Sequence, residues 1–248
     1  MPGPRSSQKR PGTRSTAPRG RGPPPKGRRP RREFYEEEKE VKRPVQKPRR
    51  QFDIKLFGRW DSKVEVNDPG LRAYVNLQGR LLPRTAGRLQ KHRFHKSEMH
   101  IVERLATHFM GSGHQGKKHK ITSGRFGGAY MQCLENVERA LAIVEKKENK
   151  NPLEVLVRAI ENAAAKEEII SYQLGSIMAR EAVITAPQRR VDKTLRNIAQ
   201  GSYRKSFNSK KNLSEALAEE IILAAKNSSD SHAIKERERV EREAGSSR

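Results

Sequence analysis

The chain has 248 residues, with 53 Lys+Arg against 29 Asp+Glu and a formal net charge of +24. Its longest apolar runs, 140–144 and 221–225, have five residues, whereas a membrane span needs about twenty. No charged segment leads into an apolar stretch, so we expect neither a secretory signal nor membrane contact. A single cysteine excludes an internal disulfide framework. The composition predicts a protein of a reducing compartment that binds a polyanion, most often nucleic acid.

The first fifty residues carry half of the net charge, with 17 Lys+Arg against 5 Asp+Glu, and ten of the 14 prolines. Residues 1–32 contain eleven basic and no acidic residues, so they cannot bury enough apolar surface to offset the entropy of ordering. Residues 33–50 alternate acidic and basic clusters, as charged linkers do. We therefore predict a disordered, Arg/Pro/Gly-rich basic extension with its linker over 1–50 and a folded domain over 51–248.

The first half of the folded domain shows mostly helical hydrophobic spacing. Asp68 followed by proline predicts a helix that runs to about residue 77. Ser97 is the expected cap of a second helix, which ends at Gly111. A third helix is predicted from about residue 125 to 147, because five apolar residues recur at steps of four and three. They are Tyr130, Leu134, Val137, Leu141 and Val144.

The second half contains one change of period. Asn151 and the proline after it are a start signal for a helix whose apolar face includes Leu153 and Ile160. β-Branched residues on both sides of Gly175-Ser176 then predict a β-hairpin at about 167–185. Helical spacing returns around 191–198, 213–224 and 232–243. The predicted fold class is mainly α, a bundle of five to seven helices with one protruding β-hairpin.

Two motifs invite a cofactor or metal interpretation, and both fail. The loop at 111–118 fits the pattern G-x-x-x-x-G-K, but a helix precedes it and a lysine stands where a phosphate loop needs Ser or Thr. A flexible glycine-rich helix end with exposed lysines is the better interpretation. Four histidines lie within 92–108, but basic residues flank them where a metal needs carboxylates. We expect His92 and His95 to contact bases or phosphates and His108 to lie in the core.

The sequence shows no catalytic constellation, and we predict that the protein is not an enzyme. Cys133 falls near the apolar face of the third predicted helix, where a buried thiol is the default. The adjacent pairs Glu167-Glu168 and Glu219-Glu220 point in different directions and are expected to be solvated. No cofactor and no metal ion are predicted.

Clustered basic residues are the remaining functional signal. Arg and Lys displace condensed counterions from nucleic acid, and Arg also bridges phosphates. A charge run on one helix is usually a solvated face, but four separate clusters favour binding. The candidate RNA-binding residues are Arg84, Arg88, Lys91 and Arg93; Lys117, Lys118, Lys120 and Arg125; Arg189, Arg190, Lys193 and Arg196; and Arg204, Lys205, Lys210 and Lys211.

A succession of sequence blocks carries a specific resemblance. In order, they are 55–60 (KLFGRW), 82–88 (LPRTAGR), 101–105 (IVERL), 151–157 (NPLEVLV), 186–191 (APQRRV), 216–225 (ALAEEIILAA), 228–229 (SS) and 233–235 (AIK). This succession resembles the small-subunit ribosomal protein seven family in its archaeal and eukaryotic form, over 52–248. The glycine- and lysine-rich loop at 113–120 favours the archaeal version.

The resemblance implies a helical bundle with a protruding hairpin and a place in the cytoplasmic ribosome. It also implies binding to the 3′ major domain of small-subunit rRNA, nucleation of head assembly, and contacts with neighbouring head proteins. Family hairpins reach E-site tRNA and exiting mRNA, and the basic stretch at 187–190 matches an rRNA contact. Here the hairpin has only Arg180 and three glutamates, so Tyr172 by stacking and Gln173 by hydrogen bonding are expected to assist it.

Two alternatives stand beside this interpretation. A generic architectural nucleic-acid-binding protein would explain the charge but not the ordered blocks. An RNA-processing enzyme that used the histidines would need carboxylates that the sequence does not place near them. The basic extension at 1–50 has no counterpart in the family pattern, and its composition suggests an arm that orders on rRNA.

Overall fold

The computed structural model describes residues 54–90, 93–115, 118–119, 121 and 124–247. Within this part the chain is mainly α-helical, as predicted. Its helices are α1 (Pro69–Arg72), α2 (Ile101–Phe109), α3 (Tyr130–Glu148), α4 (Pro152–Ala163), α5 (Pro187–Ser206), α6 (Leu213–Ala225) and α7 (His232–Gly245). Its strands are β1 (His114–Gln115), β2 (Lys118–His119), β3 (Glu167–Leu174) and β4 (Ile177–Ile184). Two short 3₁₀ helices, Arg88–Gln90 and His95–Glu98, precede α2.

Helix α6 is at the centre of the core, packed against α3, α4 and α5. Because other helices surround it, its buried residues lie on nearly all sides, and Leu217 and Ile221 are fully buried. The apolar stripe predicted on α3 is confirmed, with Leu134, Val137, Leu141 and Val144 all buried. Helix α2 packs between α3 and α5. No helix in the described part of the chain is long and apolar enough to cross a membrane.

Helix starts were partly predictable from capping residues. Asn151 caps α4 as expected, with its Oδ1 accepting from the Leu153 amide at 3.1 Å. Helix α2, however, is capped by His100 and not by Ser97, which lies inside the preceding 3₁₀ helix. Helix α2 also ends at Phe109, before the end predicted at Gly111.

Two predicted helices are shorter than expected. Helix α1 is a single turn that ends at Arg72, because the chain then turns so that Asn76 can pair with His100 in an isolated β-bridge. Helix α3 starts at Tyr130 and not near residue 125. Gly124 and Gly128 have φ angles of 69° and 74° there, a left-handed conformation that ends or delays a helix.

The predicted hairpin is confirmed at β3–β4. Its strands pair antiparallel: Glu167 lies opposite Ile184 at the base, and Leu174 lies opposite Ile177 at the tip. Gly175, with a φ of 60°, is in the two-residue turn. Its outer half is exposed on both faces, so it protrudes from the helical body. A second, two-residue pairing of β1 with β2 was not predicted. The extension predicted to be disordered lies outside the described residues.

His100 caps α2 from inside the protein. Its side chain is fully buried, and Nδ1 accepts a hydrogen bond from the Val102 amide at 3.2 Å. Burial, with a smaller contribution from Arg80, lowers the pKa of His100 to about 4. Only an unprotonated Nδ1 can accept this bond, so the cap requires neutral imidazole.

We predict that this histidine makes the fold sensitive to mild acid. Its folded pKa is depressed, so its contribution to stability is complete above pH 6.5 and is lost as the pH falls toward 4, by up to about 3 kcal/mol. Burial also lowers the pKa of His108 and of His232, which adds to the same slope.

Replacement of His100 by Asn keeps a capping oxygen and removes the titration. Urea unfolding at pH 7 and pH 4.5 should show a smaller loss of stability for His100→Asn than for the wild type. Equal losses in the two proteins would contradict the neutral-cap interpretation.

Candidate nucleic-acid interface

Helix α5 joins the predicted basic clusters. Its twenty residues span about 30 Å, and one side buries Val191, Leu195 and Ile198 against the body. The helical period places Arg189 and Arg196 on the other side, where both are exposed. The core-facing stripe therefore fixes which side of α5 presents its cations to the surroundings.

The second turn of α5 is attached to α2 through one carboxylate. Asp192 Oδ1 accepts from Nη2 of Arg104 at 2.9 Å, and its Oδ2 accepts from Lys96 Nζ at 3.0 Å. Arg104 is fully buried and also donates to the backbone oxygen of Tyr74 at 2.9 Å. His108 Nε2 lies 3.7 Å from the same carboxylate, beyond hydrogen-bond distance.

These neighbours keep Asp192 ionised. Burial acts to raise its pKa, but the contacts with His108, Arg104 and Lys96 lower it by more, so the pKa lies well below its usual range. Asp192 thereby fixes the 3₁₀ helix that contains Lys96, and the first basic cluster beside it, against the second turn of α5.

Carboxylates also hold the cations in the first turns of α5. Arg190 donates to Oδ2 of Asp68 at 2.9 Å, and the other oxygen of Asp68 caps α1. Arg189 donates to Oε1 of Glu168 at 2.6 Å, and Lys193 donates to the second oxygen of Glu168. Glu168 belongs to β3, so this pair of contacts connects the hairpin base to α5.

Glu220 holds a cation in the last turn of α5, at the other end of the helix. Its side chain is fully buried and accepts from Lys205 Nζ at 2.6 Å, from Ser231 Oγ at 2.7 Å and from the Ala233 amide at 3.1 Å. Lys211 pairs with Glu219 at 2.9 Å.

The expectation of solvated glutamate pairs is therefore wrong for Glu168 and Glu220. The side chain of Glu168 is only 12% exposed, and contacts with Arg189 and Lys193 lower its pKa although its burial acts to raise it. Both carboxylates lie in tertiary contacts between elements that sequence spacing alone does not bring together.

The segment after α2 reaches the C-terminal end of α5. A Cβ at Gly113, where φ is 91°, would lie 2.6 Å from the backbone oxygen of Ile121 and 3.1 Å from Cε1 of Tyr203, so this approach needs glycine. The ring of Tyr203 makes an edge contact with Phe126 at 6.2 Å and a tilted contact with Phe207 at 6.0 Å. Arg125, exposed beside Phe126, is thereby placed near the last basic cluster.

The sixteen candidate residues thus fall into distinct groups. Five make ion pairs with carboxylates of the body: Arg189, Arg190, Lys193, Lys205 and Lys211. Six are exposed and have no carboxylate partner among the described residues: Arg84, Arg88, Arg93, Arg196, Arg204 and Lys210. Arg125 is exposed with contacts of its own, and the backbone of Lys118 belongs to β2. Lys91, Lys117 and Lys120 lie outside the described residues.

The hairpin candidates divide between two faces. Strand register places Gln173 and Arg180 on one face and Tyr172 on the other, and all three are exposed. Gln173 Nε2 donates to the backbone oxygen of Gly175 at 2.9 Å, so this amide braces the turn. Tyr172 shares its face with Leu174 and with other exposed apolar residues of the tip.

Catalytic and metal chemistry find little support in this geometry. Among the residues that the structure describes, no group of three or more His, Cys, Asp or Glu is placed to hold a metal ion. Burial raises the pKa of the Cys133 thiol to about 11, which disfavours the thiolate at neutral pH. His92 lies outside the described residues, and His95 is part of the 3₁₀ helix His95–Glu98.

Two features of the interface were missed from the sequence. Asp192 is the only acidic residue of α5, and a lone carboxylate among basic residues was a signal that could have been used. Phe94 was not singled out, and the structure shows that this residue is 61% exposed next to Arg93.

Comparison with known proteins agrees with the family resemblance of the sequence blocks. Residues 72–248 match the family described as "Ribosomal protein S7p/S5e". The chain is also 47% identical over 196 residues to the "Small ribosomal subunit protein uS7" of Nanoarchaeum equitans (strain Kin4-M). That alignment covers 79% of this chain and 99% of the relative. The resemblance to an archaeal-type protein is thereby confirmed.

We predict that Lys205 and Lys210 have different roles although they lie close in sequence. Lys205→Ala leaves the buried Glu220 carboxylate without its cation, and the free energy of unfolding should fall by about 2 kcal/mol, less than for a fully buried pair because Lys205 is 32% exposed. Lys210→Ala, at an exposed site, should change stability by less than about 0.5 kcal/mol.

For RNA binding, Lys210→Ala should have the larger effect and Lys205→Ala the smaller one. Lys210→Ala is expected to reduce the slope of log K against log salt by about one, whereas Lys205→Ala leaves that slope unchanged. Urea unfolding and salt-dependent RNA binding measure the two effects. A Lys205→Ala protein as stable as the wild type would show that Glu220 does not need this partner.

Proposed function

Because the chain belongs to the ribosomal protein S7p/S5e family, we propose that it is a primary rRNA-binding protein that nucleates assembly of the head, the 3′ major domain of the small subunit. Membership makes it a structural, non-enzymatic constituent of the cytoplasmic ribosome. The proposal adds the RNA domain, the assembly role and the orientation of the protein on the RNA.

The arrangement of cations along α5 carries the proposal. Of the six exposed cations, Arg196 and Arg204 lie on α5 and Lys210 follows it closely. The segment with Arg88 and Arg93 is connected to α5 through Lys96 and Asp192. The position of α5 is fixed by Asp68, Glu168, Asp192 and Glu220. RNA helices are recognised mainly through shape, phosphates and 2′-hydroxyls, so cations at fixed separations suit a junction of several helices. A surface held in this way loses little conformational freedom on binding, which favours a protein that binds early.

The hairpin is proposed to lie near E-site tRNA and exiting mRNA. Its base is fixed to α5 by Glu168 and to α7 by Glu241, whose Oε1 accepts from the Lys166 amide at 3.0 Å. The face with Arg180 offers one cation to nucleic acid, and Tyr172 on the other face offers a ring. With so little charge, the hairpin is suited to contacts within an assembled particle and adds little to initial binding.

Neighbouring proteins of the head are proposed as further partners of the chain. The basic extension completes the proposal. We assign residues 1–50 as an rRNA-contacting arm of the 51–248 domain, on the basis of its charge and proline content. The alternative, a generic architectural nucleic-acid-binding protein, uses the same cations but requires no preference among RNAs.

A competition binding experiment tests the rRNA assignment. The full chain is offered the head-domain junction of small-subunit rRNA and an unrelated structured RNA of equal length, at about 0.2 M salt. We expect a preference of roughly a thousandfold for the rRNA fragment, by analogy with specific protein–DNA complexes. A ratio near one would favour the generic architectural protein.

The hairpin assignment has its own test. Arg180→Glu should weaken retention of E-site tRNA in assembled ribosomes by about fivefold, because a charged hydrogen bond to phosphate becomes a repulsion. Arg139→Glu, at a 70% exposed side chain on α3, is the matched control and should leave tRNA occupancy unchanged. Wild-type occupancy in Arg180→Glu ribosomes would remove the proposed contact.

A further inference from the structure

Phe94 has a conformation that its residue type does not favour. It precedes the 3₁₀ helix His95–Glu98 with φ 66° and ψ −2°, in the left-handed region, where a bulky side chain is an outlier. Asn or Gly adopts this conformation readily, and three of the six non-glycine residues with positive φ in the described ranges are asparagines. Phe94 also makes no side-chain capping bond. Its backbone therefore gives no reason for phenylalanine at this position.

Packing gives no reason for it either. The residue is 61% exposed, whereas Phe57, the other aromatic residue with positive φ, packs against the core and makes an edge contact with Trp60 at 5.9 Å. An exposed aromatic ring in a strained backbone conformation is a feature that folding does not explain, and such features concentrate at functional sites.

The surroundings of the ring are cationic. The guanidinium carbon of Arg93 lies 4.8 Å from the ring centroid, in the range of a cation–π contact. The 3₁₀ helix Arg88–Gln90 packs against His95–Glu98, which brings the exposed Arg88 into the same neighbourhood. Lys96 on the following turn is attached to Asp192 of α5. The ring is therefore part of the basic surface and is held at a fixed position relative to α5.

From this geometry we infer that Phe94 is a stacking platform for an unpaired RNA base, with Arg93 beside it to contact the phosphate backbone or the ring. Single-stranded bases stack on aromatic side chains, and sequence-specific proteins recognise RNA mainly at such unstacked nucleotides. The inference rests on the proposed rRNA-binding function and adds to it a recognition residue that charge alone does not supply.

Three substitutions separate stacking from charge and from folding. Phe94→Leu keeps apolar bulk and removes the π face, and it should raise the Kd for the head-domain fragment by about fivefold or more. Phe94→Trp retains a π face and should stay within about twofold of the wild type. Neither substitution changes a charge, so the slope of log K against log salt should be the same for the wild type, Phe94→Leu and Phe94→Trp.

Phe94→Asn relieves the backbone and also removes the ring. We expect this variant to unfold at the same or a higher urea concentration than the wild type while it binds RNA as weakly as Phe94→Leu. A residue needed only for folding would show the opposite result, with lower stability and affinity that follows it.

Nucleotide-resolved chemical probing of the complexes locates the base. One or two unpaired nucleotides should be protected by the wild type and by Phe94→Trp and reactive with Phe94→Leu. If Phe94→Leu binds and protects like the wild type, the ring does not stack on RNA and the inference fails.

The two levels of proposal fail differently. A wild type that binds the head-domain fragment and the unrelated RNA equally refutes the rRNA assignment, whatever the substitutions do. In that case, weaker binding by Phe94→Leu together with wild-type binding by Phe94→Trp, on either RNA, still establishes the stacking platform. Equal affinities of wild type, Leu and Trp variants on both RNAs refute the platform alone.

Discussion

The Asp192 carboxylate is the contact on which the arrangement of the basic surface depends. It is the only negative charge in α5, and it accepts hydrogen bonds from Lys96 and from the fully buried Arg104. Arg104 extends the connection to the backbone of Tyr74. A single carboxylate thus joins α5, α2, a 3₁₀ helix and the loop after α1. Without it, the cations of these elements would repel one another across the same space.

Similar carboxylates keep the two ends of α5 in place. Glu168 binds the first turn to the hairpin, and Glu220 binds the last turn to α6 and α7. Each is mostly or fully buried and each has several donors, which is the condition under which a buried charge stabilises a structure. The cations paired with them shape the body, and the exposed ones remain available to a polyanion. The basic surface is therefore held in place by carboxylates of the body itself.

The sequence predicted the local features of this fold better than the contacts between elements. The α3 stripe, the Asn151 cap and the hairpin around Gly175 follow from spacing and residue type within one segment, and all three are confirmed. The cap at His100 was missed because histidine is not among the usual capping residues, and the burial that keeps its imidazole neutral in mild acid is a tertiary effect. Glu168 and Glu220 were misinterpreted for the same kind of reason, since their donors lie on other elements.

The body and the hairpin consequently offer different forces to their partners. Around α5, exposed guanidinium and ammonium groups give attraction that weakens as salt displaces them from phosphate. On the outer hairpin, Leu174, Ile177 and Met178 are more than 60% exposed and Arg180 is the one cation, so contacts there are mainly apolar and depend less on salt. A protein with both surfaces can bind RNA first through charge at the body. It can then make contacts at the hairpin that become available only when a complementary surface has assembled beside it.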